Sequence, residues 1–181
     1  DPASLALLRS IRRGIEKESL RITPQGKLAQ TPHPAGLGSA LTHEYITTDY
    51  SEALLEFITP VSEDIEQSIE TLENIHSFAY QQLGEEMLWA ASMPCIMTGD
   101  EGIPVARYGS SNVARMKTVY RLGLGHRYGR LMQAIAGIHY NFSMPEAYWE
   151  QAWQRAGSTG ELRDYISTRY LDLIRNFRRH S

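Results

Sequence analysis

The pattern of apolar and polar residues predicts strands in some segments of the chain and helices in others. A strand is predicted at residues 13–22, a run in which polar and charged residues recur at short spacing before a turn. A β-prone run at 45–48 and a short apolar run at 53–59 predict two more strands. A turn-forming TPQG sequence follows the first run, and Pro60 stops the third. Residues 30–39, rich in proline and glycine, are predicted to form a loop.

A spacing of three to four residues between apolar positions predicts helices. It extends over residues 65–83, in a helix that Ser62 would cap at its start and Gly84 would end. The same spacing predicts two later helices, at residues 146–156 and 162–177.

A further helix is predicted from Asn112, as its cap, to about residue 122. Its inward side would be formed by Met116, Val119 and Tyr120. The glycines Gly123 and Gly125 are then expected to interrupt the chain.

The clearest alternation lies at residues 138–144, which predicts a strand with one apolar and one polar face. The apolar face would carry Ile138, Tyr140, Phe142 and Met144. The polar face would carry Gly137, His139, Asn141 and Ser143. Since strands and helices follow one another without a strict β-α-β rhythm, we expect an α+β fold with a largely antiparallel sheet and helices on one side.

Composition and charge narrow the classes of partner. The 181 residues are 42% hydrophobic and 22% charged, as in an ordinary globular protein. A net charge of −3 gives no electrostatic reason to expect nucleic acid or an anionic membrane as a partner. No apolar run reaches the roughly 18 residues of a membrane-spanning helix. A single cysteine, Cys95, excludes an internal disulfide framework and predicts a cytoplasmic protein.

Glu16 and Glu18 are the first candidates for chemistry. Residues two apart on a strand project from the same face, so the two carboxylates would lie side by side. Their repulsion would raise one pKa unless a cation lay between them, and Mg²⁺ suits that role because it binds oxygen ligands. A Glu-x-Glu sequence is common, however, and this pair by itself favours a solvent-facing strand edge.

Three further residues extend the candidate set. Glu56 interrupts an apolar run, which favours function over an edge strand because carboxylates are rarely buried unless paired or metal-bound. Asp49 ends a turn, which it could cap, or it could join the other carboxylates. His139 lies on a polar strand face where a lone histidine is more often structural. Together these segments predict an acidic, Mg²⁺-binding sheet face.

Tyr120 and Arg121 form a second candidate, since a guanidinium pairs well with a carboxylate or phosphate. Spacing alone favours a simpler arrangement, with Tyr120 packed in the core and Arg121 at the surface. No P-loop sequence is present, so any nucleotide would be held through metal and sheet.

Several longer stretches carry a family resemblance. They are RGIEKESLR at 13–21, LGSALTH at 37–43, ITTDYSEALLEFITP at 46–60, SMPC at 92–95, YGSSN at 108–112, KTVYR at 117–121 and GIHYNFS at 137–143. In this order, and over nearly the whole chain, they resemble the N-terminal portion of bacterial glutamate–cysteine ligases (γ-glutamylcysteine synthetases). We therefore expect residues 1–181 to form the N-terminal part of one catalytic domain of that kind.

The resemblance implies a glutamine-synthetase-like fold and the first step of glutathione biosynthesis. In that reaction ATP is the co-substrate, Mg²⁺ the cofactor, and L-glutamate is joined to L-cysteine through a γ-glutamyl phosphate. By motif match, the resemblance implies that the metal ligands are Glu16, Glu18 and Glu56, with Asp49 and His139 as further members. It places the cysteine pocket at Tyr120, Tyr50, Leu124, Gln133 and Arg121.

Family members are much longer than this chain, and the resemblance implies that further strands, metal carboxylates and substrate-binding arginines lie outside it. We therefore expect activity to require the rest of the chain or a complementing subunit. Two alternatives stay open. One is another carboxylate–amine ligase of the same superfamily, and the other is a non-catalytic module that binds Mg²⁺ or a partner protein through its open sheet.

Overall fold

A computed structural model of the protein describes residues 2–181, with side chains from residue 5 onward. The chain divides into two compact units. One unit is formed by residues 14–141, and the other by the segments up to residue 13 and from residue 142. All of the predicted site residues belong to the first unit.

Within residues 2–181 the sheet has five strands, which are β1 (Arg12–Ile22), β2 (Ile46–Thr48), β3 (Leu54–Ile58), β4 (Met87–Leu88) and β5 (Ile138–Ser143). The strand order is β2-β3-β1-β4, and β5 also pairs with β1. The pairs β2–β3, β1–β3 and β1–β4 are antiparallel. The predicted α+β class with antiparallel pairing is confirmed, and the eleven-residue strand β1 contacts three other strands.

The helices are α1 (Pro2–Leu7), α2 (Ile65–Tyr80), α3 (Asn112–Tyr128), α4 (Glu146–Arg155) and α5 (Leu162–His180). Short 3₁₀ helices lie at Leu8–Ser10, Ala35–Leu37, Asp100–Gly102 and Leu131–Ala134. In the second unit, α4 contacts both α1 and α5. Within residues 2–181, every helix is too short or too polar to cross a membrane.

The two faces of the sheet are buried differently. On one face, Leu55 and Phe57 of β3 pack against Ile75 and Ala79 of α2, which forms one apolar cluster. On the opposite face, a second cluster surrounds β1 and contains Leu20, Ile22, Leu54, Tyr50 and Ile103. The second face is therefore apolar where β1 ends, while Glu16 and Glu18 lie nearer its start.

Arg21 anchors β1 from within the core, where its side chain is 1% exposed. The guanidinium donates to Glu86 Oε2 at 2.6 Å and to Thr31 Oγ1 at 2.5 Å. It also donates to the carbonyl oxygens of Thr31 and Glu52, at 2.8 and 3.0 Å. A buried charge is tolerated when it is paired and hydrogen-bonded in this way.

Helix α2 begins later than predicted. Asp64 is its cap, because its backbone is extended and its side chain accepts a hydrogen bond from Gln67 N at 3.0 Å. Ser62 instead accepts from Asp64 N, one turn before the helix. The helix ends at Tyr80, four residues before Gly84, so the predicted roles of Ser62 and Gly84 are wrong.

Helix α3 differs more from the prediction. Its cap is Ser111, whose hydroxyl accepts from Ala114 N, and the helix continues through Gly123 and Gly125 to Tyr128. Gly129, with φ of +80°, follows its last residue. The buried side of α3 is formed by small and amphipathic residues, so the predicted inward residues are exposed: Met116, Val119 and Tyr120.

Candidate metal-binding face and adjoining pocket

Three carboxylates share one face of the sheet. Glu16 and Glu18 are two residues apart on β1, and Glu18 lies directly opposite Glu56 of β3 in the antiparallel register. Side chains two apart on a strand, and side chains of directly paired residues, project to the same side. The predicted common face of Glu16, Glu18 and Glu56 is therefore confirmed, while metal binding by these residues stays a prediction.

Strand β5 supplies polar partners for the same carboxylates. Asn141 Nδ2 donates to Glu16 Oε1 at 3.0 Å, and His139 Nε2 lies 4.0 Å from Glu18 Oε1. The other oxygen of Glu18, Oε2, accepts a 2.6 Å hydrogen bond from the backbone N–H of Gly137. The polar side predicted for this strand thus faces Glu16 and Glu18.

Glu56 is the most perturbed acid of the group. Burial, followed by the charges of Asp49, Glu18 and Glu16, raises the pKa of Glu56 to about 7. Burial also raises the pKa of Glu18, although the Gly137 hydrogen bond opposes that effect. The carboxylate of Glu56 accepts no hydrogen bond from any residue the structure describes. Like charges are thus crowded into a half-buried place, where a cation would relieve the repulsion.

The donor chemistry fits Mg²⁺, which prefers carboxylate oxygens and retains coordination positions for phosphates. The carboxylates of Glu16, Glu18 and Glu56 do not surround a single point as a complete set of metal ligands would. Across residues 5–181, no three His, Cys, Asp or Glu side chains converge closely enough to hold an ion. Two of the acids are instead occupied by hydrogen bonds, Glu16 with Asn141 and Glu18 with Gly137.

Asp49 is oriented by Arg121 of α3. Arg121 Nη2 lies 3.3 Å from Asp49 Oδ1, and its Nε donates to the Asp49 carbonyl oxygen. The Arg121 side chain is 13% exposed, whereas Tyr120 is 64% exposed. The arrangement favoured by spacing alone, with Tyr120 in the core and Arg121 at the surface, is therefore reversed. Arg121 is turned inward because the Thr48–Asp49 turn offers it a carboxylate and a carbonyl oxygen.

Tyr108 supports this pair, although no pattern in the sequence assigned it a role. Its ring centroid lies 4.8 Å from Arg121 Cζ. Its hydroxyl donates to the carbonyl oxygens of Thr48, at 2.6 Å, and Asp49, at 3.1 Å. Tyr108 falls within the YGSSN stretch, but nothing in its spacing indicates a contact with residues about 60 positions away.

Tyr50 belongs to the apolar cluster beside the carboxylate face, and Leu124 packs against the same cluster. Tyr50 is 1% exposed, its hydroxyl has no hydrogen-bond partner among the described residues, and burial raises the pKa of that hydroxyl. A Cβ at Gly125 would overlap the hydroxyl oxygen of Tyr50. Gly125 therefore permits a close approach of Tyr50 to α3 rather than breaking the helix.

The remaining two predicted pocket residues are less well connected. Tyr120 is exposed on α3, and Gln133 is half-buried in the 3₁₀ helix Leu131–Ala134. Neither side chain makes a hydrogen bond within the described part of the chain. The structure therefore places Tyr50 and Leu124 at one apolar cluster and Arg121 against Asp49, and the described residues show no contact that joins all five.

Comparisons with known proteins identify relatives over the full chain. The family model described as glutamate-cysteine ligase matches residues 1–181. The glutamate–cysteine ligase of Alcanivorax borkumensis is 66% identical over 176 residues, which cover 97% of this chain and 34% of that protein. That of Pseudomonas putida is 59% identical over 179 residues, 99% of this chain and 34% of that protein. The chain thus spans about a third of the length of these curated relatives.

Solved structures show the same likeness. A glutamate–cysteine ligase from Francisella tularensis in complex with AMP superposes with a TM-score of 0.78 at 43% identity, covering 82% of this chain and 30% of that one. A bifunctional glutathione synthetase from Pasteurella multocida superposes with a TM-score of 0.84 at 32% identity, covering 97% of this chain and 23% of that one.

Proposed function

Because this chain belongs to the glutamate–cysteine ligase family, we propose that it forms part of an ATP-dependent enzyme that joins L-glutamate to L-cysteine. The family match over residues 1–181 is the observation that carries this proposal. The AMP bound by the Francisella relative supports an adenine nucleotide as substrate. We place the enzyme in the cytoplasm, where a chain with one buried cysteine needs no disulfide.

The proposed reaction has two steps. An oxygen of the glutamate γ-carboxylate attacks the γ-phosphorus of ATP, which releases ADP and forms γ-glutamyl phosphate. The cysteine amine then attacks the acyl carbon of γ-glutamyl phosphate, the bond from that carbon to the phosphate oxygen breaks, phosphate leaves, and the nitrogen loses a proton as the amide forms. Both steps bring anions together, so the site must supply positive charge and fixed orientation.

Glu16, Glu18 and Glu56 would hold Mg²⁺ on the sheet face, with Asp49 and His139 as further members. Mg²⁺ bound there would neutralise the phosphate oxygens during transfer. The support for this assignment is the Glu18–Glu56 pairing and the crowding that raises the pKa of Glu56. A bound cation would replace the mutual repulsion with attraction.

The neighbouring residues would bind the amine substrate. We propose that Arg121 faces the cysteine carboxylate, and that Tyr50, Tyr120, Leu124 and Gln133 line its pocket. Asp49 holds Arg121 from one side, and the guanidinium of Arg121 lies over the ring of Tyr108. The guanidinium therefore has little freedom to turn. The Tyr50 hydroxyl has an unused hydrogen bond that a polar ligand group could take.

We propose that activity requires a chain of family length, since residues 1–181 correspond to about a third of the relatives.

The test of the proposed reaction is phosphate release by the natural protein with ATP and glutamate, with and without cysteine. We expect release that depends on cysteine and on Mg²⁺, and a loss of about 100-fold or more in Glu56→Gln. Equal or faster release with another amine would instead favour a different carboxylate–amine ligase. No amine-dependent release would contradict the proposal.

A further inference from the structure

Gly137 contacts Glu18 through both of its backbone polar groups. Its N–H donates to Glu18 Oε2 at 2.6 Å, and its carbonyl oxygen accepts from Glu18 N at 2.9 Å. The first bond fixes one carboxylate oxygen of Glu18. The other oxygen, Oε1, is the one that lies 4.0 Å from His139 Nε2.

The space beside Gly137 is occupied by the same two side chains. A Cβ on Gly137 would lie 2.9 Å from His139 Nε2 and 3.4 Å from Glu18 Oε2. The first distance is too short for a real contact, so the imidazole would have to move. His139 is able to do so without disturbing the core, because its side chain is 55% exposed.

The backbone of Gly137 does not itself require glycine. Its φ lies outside the left-handed region, unlike that of Gly129 or Gly99. An alanine would therefore keep the N–H that binds Glu18 and would add no backbone strain. The missing Cβ matters for the room it leaves, and that room is taken by the His139 ring.

We propose that Gly137 is a positioning residue of the metal site, which fixes the Glu18 carboxylate by its N–H and leaves the space in which the His139 imidazole faces Glu18. This inference rests on the proposed function, in which Glu18 and His139 belong to the metal site. Groups that orient metal ligands typically change metal affinity 10- to 100-fold when they are altered.

The test compares Gly137→Ala with the unaltered natural full-length protein, using Mn²⁺ alone as a paramagnetic substitute for Mg²⁺. Free Mn²⁺ measured by electron paramagnetic resonance gives the dissociation constant, and Mn²⁺ broadening of the His139 ring signals in NMR reports the position of the imidazole. We expect Mn²⁺ binding to weaken about 10-fold and the broadening to fall. The thermal midpoint should stay within about 2 °C, because no buried contact is lost.

Gly123→Ala is the matched control, because a Cβ at Gly123 meets no atom within 4 Å. It should leave Mn²⁺ affinity unchanged. His139→Ala distinguishes the proposed metal role of His139 from the positioning role of Gly137. If His139→Ala binds Mn²⁺ normally, the proposed metal role of His139 fails; if it weakens binding and Gly137→Ala does not, the positioning role of Gly137 is wrong.

The double variant Gly137→Ala/His139→Ala decides how the effect is transmitted. Since the alanine acts by displacing the imidazole, it should weaken Mn²⁺ binding no further once that ring is absent. An equal loss in both backgrounds would overturn the inference. Failure of Gly137→Ala to fold would also overturn it, because the added Cβ should displace the exposed imidazole and leave the fold intact.

Discussion

Asp49 Oδ1 and Arg121 Nη2 lie 3.3 Å apart, so a residue proposed at the metal site is bonded directly to a residue proposed in the cysteine pocket. The two side chains come from the β2–β3 turn and from α3, which are 72 positions apart in the chain. Their contact therefore connects the proposed metal site with the proposed cysteine pocket.

This contact predicts coupling between Asp49→Asn and Arg121→Met. Each change should raise the KM for cysteine, because Asp49→Asn loosens the guanidinium and Arg121→Met removes it. In the full-length enzyme, the double variant should lose less than the sum of the single losses, by about 0.5 kcal/mol or more in transition-state free energy. Arg115→Met, an exposed change on the same helix, is the control and should be additive with Asp49→Asn. Strict additivity of the Asp49 and Arg121 variants would show that the pair does not link the two sites.

Glu56 predicts an unusual pH dependence of stability without divalent metal. Its pKa is about 7 in the folded protein and near 4.5 for an ordinary glutamate, so the folded state holds the proton more tightly. The contribution is therefore fully present below about pH 4.5 and is lost as the pH rises through 7.

Denaturant unfolding in the presence of a chelator, between pH 5 and pH 8, measures this dependence. Glu56→Gln should gain about 1–2 kcal/mol over the unaltered protein at pH 8, after allowance for partial solvent exposure, and little at pH 5. Glu73→Gln, on the exposed side of α2, should show no such pH-dependent difference. A constant difference across the range would mean that Glu56 is ionised normally.

Arg21 and Glu86 predict a large loss of stability when one partner is removed. Glu86→Ala leaves the guanidinium buried with weaker partners, namely the hydroxyl and carbonyl of Thr31 and the carbonyl of Glu52. We expect the free energy of unfolding to fall by about 2–4 kcal/mol. Glu85→Ala, at the exposed neighbouring residue, should change it by less than about 0.5 kcal/mol. Similar values for the two variants would show that the ion pair contributes little.

His76 predicts an opposite response to pH. Its ring lies edge-on to Phe57, with centroids 4.7 Å apart, and Nδ1 lies 2.8 Å from the Leu72 carbonyl oxygen. Burial lowers the pKa of His76, so the unfolded chain takes up the proton more readily, and stability is lost as the pH falls below about 6.5.

Comparison of variants isolates the His76 effect from that of Glu56, which acts in the same range with the other sign. His76→Gln should lose less stability than the unaltered protein between pH 7.5 and pH 5.5, by up to about 1 kcal/mol. His126→Gln, exposed on α3, should follow the unaltered protein. An NMR titration that gives His76 a pKa at or above 6.5 would contradict the prediction.

Period-two alternation was sufficient to predict β5 and its polar side, because strand faces follow directly from the backbone. Short segments bounded by turn signals were sufficient to predict β1 and β3. The opposition of Glu18 and Glu56 was beyond the sequence, since register depends on which distant strands pair. The predicted inward side and end of helix α3 were wrong for two reasons. Its buried side is small and polar rather than apolar, and its glycine at 125 accommodates Tyr50, a contact that no local pattern records.

The pairing of β1 with β5 affects the order in which the strands of the sheet pair during synthesis. Glu18 and Gly137 are 119 positions apart, whereas the strands β2 and β3 are joined by a short turn. Closing a longer loop costs more chain entropy, so local pairs form ahead of distant ones. On the ribosome, Glu18 and Glu56 are synthesised long before Gly137 and His139 emerge. The paired carboxylates of β1 and β3 can therefore form a face before β5 is made, and β5 then adds the contacts of Gly137, His139 and Asn141 to it.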